Sequence, residues 1–179
     1  APVNALIEVL DGKYSITSLK MKSDITFHLH KDAVLSASIK EDDYLEIEGE
    51  EELETGEVLQ NGTWEGSPFK MKLSIINAFD CKNIKIVGQG SIDGNAQLST
   101  WWDDFKNKPY ARPHVIYINR CSNVTIQGVH LWNSPPWTVH PYFSDHINMY
   151  DFTITNPKVS PNTDGINPQC CDYVNIIGV

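Results

Sequence analysis

Apolar and polar positions along this chain alternate with a period of two, in short runs broken by polar turns. That is the pattern of half-buried strands, not the three-to-four-residue spacing of an amphipathic helix. Ile84-x-Ile86, Val124-x-Ile126, Ile147-x-Met149 and Val174-x-Ile176 show it most plainly. Around them four segments align without gaps: INAFDCKNIKIVG, IYINRCSNVTIQG, VHPYFSDHINMYD and INPQCCDYVNIIG. Each carries a small residue (Cys81, Cys121, Ser144, Cys171) and, two places on, a polar or ring residue (Asn83, Asn123, His146, Tyr173). A second short run precedes each small residue, with Ile76, Ile116, Val139 and Ile166 in register, and KSDITFHL around Ile25 and Phe27 is a fainter, earlier copy.

The small residues recur at spacings of 40, 23 and 27 residues. A unit so short cannot bury its own apolar face, so successive units must stack. The pattern therefore predicts an all-β fold, a right-handed parallel β-helix forming one domain over residues 1–179; the chirality of parallel crossovers sets its hand. A sandwich or propeller is the rival, but those folds lack ungapped, in-register coils of this length. The column Asn77, Tyr117, His140 and Asn167 alternates with the Ile76 column. It is expected to point outward, as a polar and aromatic stripe suited to an extended polymer.

Two insertions break the coils. DYLEIEGEEELETGEVLQNGTWEG, with Glu46, Glu48, Glu50, Glu51, Glu52, Glu54 and Glu57, reads as a solvated loop or short helix. In NAQLSTWWDDFKNKPYARP, Ser99 is placed to cap a short helix holding Trp101 and Trp102, which either pack as a lid or offer a platform for a sugar ring. GQGSIDG, from Gly88 to Gly94, is read as turn glycines, because Asp93 occupies the third glycine position of a nucleotide-binding loop and no helix follows.

Charge narrows the partners. Lys and Arg total 14 against 23 Asp and Glu, a net charge of −9. That disfavours nucleic acid and anionic membrane, while a local basic cluster can still receive an acidic substrate. No apolar run approaches the ~20 residues of a membrane helix, and Ala1-Pro2-Val3-Asn4 does not begin a signal peptide. Cys81, Cys121, Cys170 and Cys171 fit neither a zinc pattern nor a redox CxxC. In-register residues on neighbouring rungs sit too far apart for a relaxed bridge, so packed thiols are preferred to a Cys81–Cys121 disulfide. In SPNTDGINPQCC, strict alternation would point Asp164 inward with Ile166. Burying an unpaired carboxylate is costly, so the chain is expected to bend at Asn162-Thr163, with Gly165 adding freedom, and present Asp164 at the strand edge.

From Gly88 onward, GQGSIDGNAQLSTWW, RPHVIYINRCSNVTIQGVHLWNSPPWTVHP and SPNTDGINPQCCDYVNI resemble glycoside hydrolase family 28, the polygalacturonases. YSITSLKMKSDITFHLHKDAVL and TWEGSPF are similar to the early coils of its bacterial, often exo-acting members. The resemblance implies a glycosidase that cleaves α-1,4-galacturonosyl linkages of pectin or polygalacturonate with inversion and without metal or other cofactor. It implies a pectic polysaccharide or oligogalacturonide as partner and a secreted or periplasmic location. Inversion requires two carboxyl groups ~6.5–9.5 Å apart, with water between. Asp164 takes the implied role of activating that water and Asn162 that of shaping the cleft, while His140, Asn167 and Trp137 are implied substrate contacts. The family's adjacent aspartate pair, Gly-His-Gly and Arg-x-Lys do not follow; Asp42-Asp43 and Asp103-Asp104 sit in the insertions and cannot substitute. The expectation is an incomplete catalytic domain, inactive alone, with exposed solenoid ends through which copies can associate. Three other readings stand beside it: a calcium-dependent lyase on the same polymer, a non-catalytic carbohydrate-binding or structural β-helix, and a rhamnogalacturonan hydrolase.

Overall fold

The computed structural model describes the backbone of residues 4–47, 50–52 and 58–179, and side chains outside 48–60. The chain winds through three parallel sheets in turn. The six-stranded sheet stacks Ala5–Val9, Ile25–Leu29, Lys82–Gly88, Ser122–Gln127, Asp145–Tyr150 and Asp172–Ile177. The five-stranded sheet stacks Gly12–Ile16, Ala33–Ala37, Ser91–Asp93, His130–Trp132 and Thr153–Thr155. The four-stranded sheet stacks Leu19–Lys20, Ile76–Phe79, Ile116–Asn119 and Val139–Tyr142, and is extended by bridges from Val139 to Ile166 and Tyr142 to Gln169. This is the right-handed parallel β-helix that the repeat predicts.

Register follows the aligned segments. Ile25, Ile84, Val124, Ile147 and Val174 are successive partners, as are Phe27, Ile86, Ile126, Met149 and Ile176. Their inward side chains stack into one core: Ile84, Ile86, Val124, Ile126, Ile147 and Met149 are all at most 1% exposed. Each such side chain contributes about 1.5–3 kcal/mol relative to exposure. The first rung, Ala5–Val9, pairs with Ile25–Leu29 one coil earlier than the sequence repeat revealed.

Sharp corners between sheets explain the polar landmark of each repeat. Asn83, Asn123, His146 and Tyr173 all adopt left-handed backbone, with φ of 51° to 56°, and Asp24 at 60° begins the same column. Asparagine and aspartate tolerate this region best among non-glycine residues. They also bond along the stack: Asn83 Nδ2 donates to Asp24 Oδ1 at 2.7 Å, and Asn123 Nδ2 to Asn83 Oδ1 at 2.8 Å. Below them the His146 and Tyr173 rings stack with centroids 4.7 Å apart. At the next corner Gly88 has φ +119°, and a Cβ there would lie 2.0 Å from Leu29 O. That close approach and φ, not a ligand, require the first glycine of GQGSIDG.

The insertions differ from expectation. Among its described residues the first forms no helix beyond the 3₁₀ turn Glu41–Asp43; Glu50–Glu52 pairs antiparallel with Val58–Gln60, and Thr63–Trp64 with Ser67–Pro68. Glu48, Glu54 and Glu57 lie outside the described residues, as do the side chains of Glu50, Glu51 and Glu52; Glu46 is exposed. In the second insertion Ser99 caps no α-helix. Its Oγ accepts from Trp101 N at 3.1 Å and donates to Ala96 O at 2.9 Å, closing local turns that compete with helix. Trp101 is fully buried and meets Tyr44 edge-on at 5.5 Å, while Trp102 Nε1 donates to Ser134 O and Pro135 O. Both tryptophans therefore fasten the loop to the coils. The four cysteines are free thiols; Cys121 is buried and Cys81 partly so. Among the described residues no helix is long and apolar enough to cross a membrane.

Candidate active site

The long loops gather at one corner, where the chain passes from the five-stranded to the four-stranded sheet. Both insertions leave there, as do Asn133–Thr138 and the 156–165 loop that carries Asp164. Asn162 takes φ +56°, the bend the sequence required, and Asp164 emerges exposed while Ile166 keeps its place beside Val139. The backbone around Asp164 is pinned: Thr138 N donates to Asp164 O at 2.8 Å and Val139 N to Gly165 O at 3.0 Å. Asn156 Nδ2 donates to Thr138 Oγ1 and Thr163 O, tying the loop to the preceding coil. Asn167 Nδ2 donates to Asp164 Oδ2 at 3.3 Å, and Asn167 Oδ1 is buried with no hydrogen-bond partner among the described residues.

The stripe keeps its register but not its exposure. Asn77, Tyr117 and His140 pair rung to rung and point away from the coil interior, yet all three are 0% exposed. The expected open face is wrong for these positions: the Asn77 side chain is bonded to Ser74 and Leu19 O, and the first insertion folds back over the positions that follow. Tyr117 Oη donates to Asn61 O at 2.8 Å. Met71, Ala111, Tyr117 and Tyr142 form a second apolar cluster outside the coils, with Trp64 and Phe79 against it. Trp64 stacks on half-buried Trp137 with centroids 4.9 Å apart and planes 20° from parallel. His140 thus lies under this cover and is a floor group rather than a surface able to touch a ligand directly.

Hydrogen bonding decides the tautomers on this floor. His114 Nδ1 lies 2.9 Å from Trp137 O, a carbonyl that can only accept, so Nδ1 carries the proton. Neutral His114 then accepts at Nε2 from His140 Nδ1, 3.2 Å away. His140 Nε2 is left as an acceptor without a well-formed hydrogen bond, with the Gln169 side chain beside it. Burial drives His140 down to about 4, and burial reinforced by the His140 charge drives His114 well below its ordinary value. Both rings are neutral at ordinary pH, and together they hold Trp137 over the floor.

Arg112 is the residue sequence reasoning missed. It is 3% exposed, and Nη1 donates to Pro135 O at 2.7 Å and Pro161 O at 3.3 Å, while Nη2 donates to Asn162 Oδ1 at 2.7 Å. One guanidinium therefore joins the NSPPW turn to the NTD turn. Among the described residues it has no carboxylate partner, and burial lowers it only to about 10, so it stays charged. It lines a cavity of about 340 Å³ with Trp64, Phe105, Lys106, Lys108 and Asn162. Lys108 is offset by Glu41 at 2.7 Å. The only sequence signal for Arg112 is a cation beside proline just ahead of a strand.

The structure thus gathers Asp164, Asn162, Asn167 and Trp137 at one rim and sets His140 beneath them. Similar folds are known. A crystal structure of an exopolygalacturonase from Thermotoga maritima superposes with a TM-score of 0.79 at 24% identity, over 97% of this chain and 45% of that one. The polygalacturonase from Erwinia carotovora gives 0.76 at 24% identity, over 96% and 46%. In sequence, a probable polygalacturonase of Vitis vinifera is 34% identical over 175 residues, 96% of this chain and 34% of that protein. An endo-polygalacturonase of Pectobacterium carotovorum is 33% identical over 114 residues, 58% and 28%. The chain thus spans about a third of these curated relatives and under half of the solved ones. The model of glycosyl hydrolases family 28 matches residues 14–179, and with the coil architecture and the Asn162-Thr163-Asp164 rim in place the chain belongs to that family.

Proposed function

We propose that this chain carries the polymer-binding groove and one catalytic carboxylate of a polygalacturonase-type glycosidase that hydrolyses α-1,4-galacturonosyl linkages in pectin with inversion. The observation that carries the reading is a buried Arg112, with no carboxylate partner among the described residues, in an aromatic pocket that shares Asn162 with the loop of Asp164. In a chain of net charge −9, cations and flat aromatic faces at this one corner suit a uronate, whose carboxylates pair with guanidinium and ammonium groups. Asp164 would act as the general base on water from its exposed place at the strand edge. Asn162 would shape the cleft, Asn167 would orient Asp164, and Trp137, stacked beneath Trp64, would meet a sugar ring with its exposed edge. His140 would support Trp137 from beneath.

Among the described residues the Asp164 side chain has one hydrogen bond, to Asn167, and no acidic partner bonded to it. An inverting hydrolase needs a second carboxyl, to protonate the leaving oxygen. We therefore propose that these residues alone bind but do not turn over, and that the longer enzymes supply the proton donor. A secreted or periplasmic location fits a polymer substrate outside the cytoplasm. The test is direct. The purified chain should bind oligogalacturonate in calorimetry, bind it at least as well after Asp164→Asn, which removes a like charge, and release no reducing ends from polygalacturonate. Steady release of reducing ends would overturn the division of labour, and failure of both proteins to bind would overturn the groove.

A further inference from the structure

On the opposite side of the coil, the outer face of the six-stranded sheet gathers Glu8, His28 and His30, whose ligand atoms all lie within 4.8 Å of one another. We propose that these three residues form a binding site for a divalent transition-metal ion of the zinc, cobalt or nickel class. The site shares no residue with the groove and is independent of the hydrolase reading. Along Ile25–Leu29 the buried positions are Ile25, Phe27 and Leu29, so His28 and His30, two apart, share the outer face. Glu8 is the register partner of His28 on the neighbouring rung. The ligands thus come from two adjacent rungs of a rigid ladder.

The chemistry is that of a borderline metal. Two imidazoles and one carboxylate are a recurrent protein ligand set for zinc that leaves positions open to water. With bonds of ~2.0–2.2 Å, donors of a tetrahedral site lie about 3.3–3.5 Å apart. His30 Nε2 and Glu8 Oε1 are already 3.1 Å apart, one edge of such a tetrahedron. A simple surface ion pair would need only those two groups. The His28 ring makes no hydrogen bond to the described residues, yet it meets His30 edge-on at 5.1 Å, close enough to complete the set by a rotamer adjustment. The bound ion would clamp rung Ala5–Val9 to rung Ile25–Leu29.

Metal-stripped protein titrated with zinc chloride in a calorimeter should show one saturable site per chain, and cobalt(II) should give the visible absorption of a low-coordinate nitrogen–oxygen site. Glu8→Gln, His28→Asn and His30→Asn should each weaken binding by about tenfold or more. Zinc should raise the melting temperature of the wild type but not of these variants, whose metal-free melting should match the wild type because all three side chains face solvent. Zinc affinity unchanged from the wild type in these variants, or no saturable one-to-one binding, would overturn the assignment and leave an ordinary surface ion pair.

Discussion

Single side chains at the corner hold the turn that carries Asp164. Arg112 joins the turns at Pro135 and Asn162, so Arg112→Ala should remove three hydrogen bonds and leave neighbouring acceptors unpaired. Loss of about 2–3 kcal/mol in urea unfolding is expected, since hydrogen bonds to a charged group each carry about 1.5–3 kcal/mol and relaxation recovers part. Oligogalacturonate binding should weaken in the same variant, and Arg112→Lys should rescue only partly, because an ammonium cannot span the fork. Trp137 is the other such residue: His114 bonds its carbonyl and Trp64 covers its ring. Substitution of Trp64 by alanine should uncover His140, read out as faster hydrogen exchange around the floor.

At the scale of strands and corners, the left-handed columns set the coil. Gly88→Ala places a Cβ 2.0 Å from Leu29 O at φ +119°. It should cost more than about 3 kcal/mol, from backbone strain plus the clash, seen as a large fall in melting temperature. Asn123→Ala should cost less, about 1–2 kcal/mol, since it loses one side-chain bond to Asn83 and a tolerated left-handed conformation. Both corners are legible in the sequence, Asn83 and Asn123 as the repeat landmark and Gly88 as a turn glycine. Their dihedrals are not, because a left-handed residue is specified by the corner it must turn.

For the molecule as a whole, the buried His114–His140 pair ties stability to pH. Both rings are neutral when folded and have depressed proton affinity, His140 falling from 6.5 to about 4. Below pH 6.5 the unfolded chain takes up protons that the native chain refuses, so stability falls as pH drops through that window. His140 alone should cost about 3 kcal/mol between its unfolded and folded values, with His114 adding in the same direction. Urea midpoints measured from pH 7 down to pH 4 should follow this trend, and His140→Asn should flatten it. A midpoint that rises on acidification would contradict the neutral-pair assignment.

The period-two alternation and the aligned segments were enough to derive the stacked coils, their register, the inward columns from Ile84 to Val174, and the bend that exposes Asp164. Those features are local or repeat from rung to rung, so each residue carries its own evidence. Tertiary structure alone decided what covers the outward column, because the stretch from Asn61 to Met71 folds over Tyr117 and His140 from far away in sequence. It alone brought Arg112 to Asn162, and Glu8 to His28 and His30. Such contacts join residues that share no periodicity, and only the path of the chain in space brings their charges and hydrogen-bonding atoms within reach of each other.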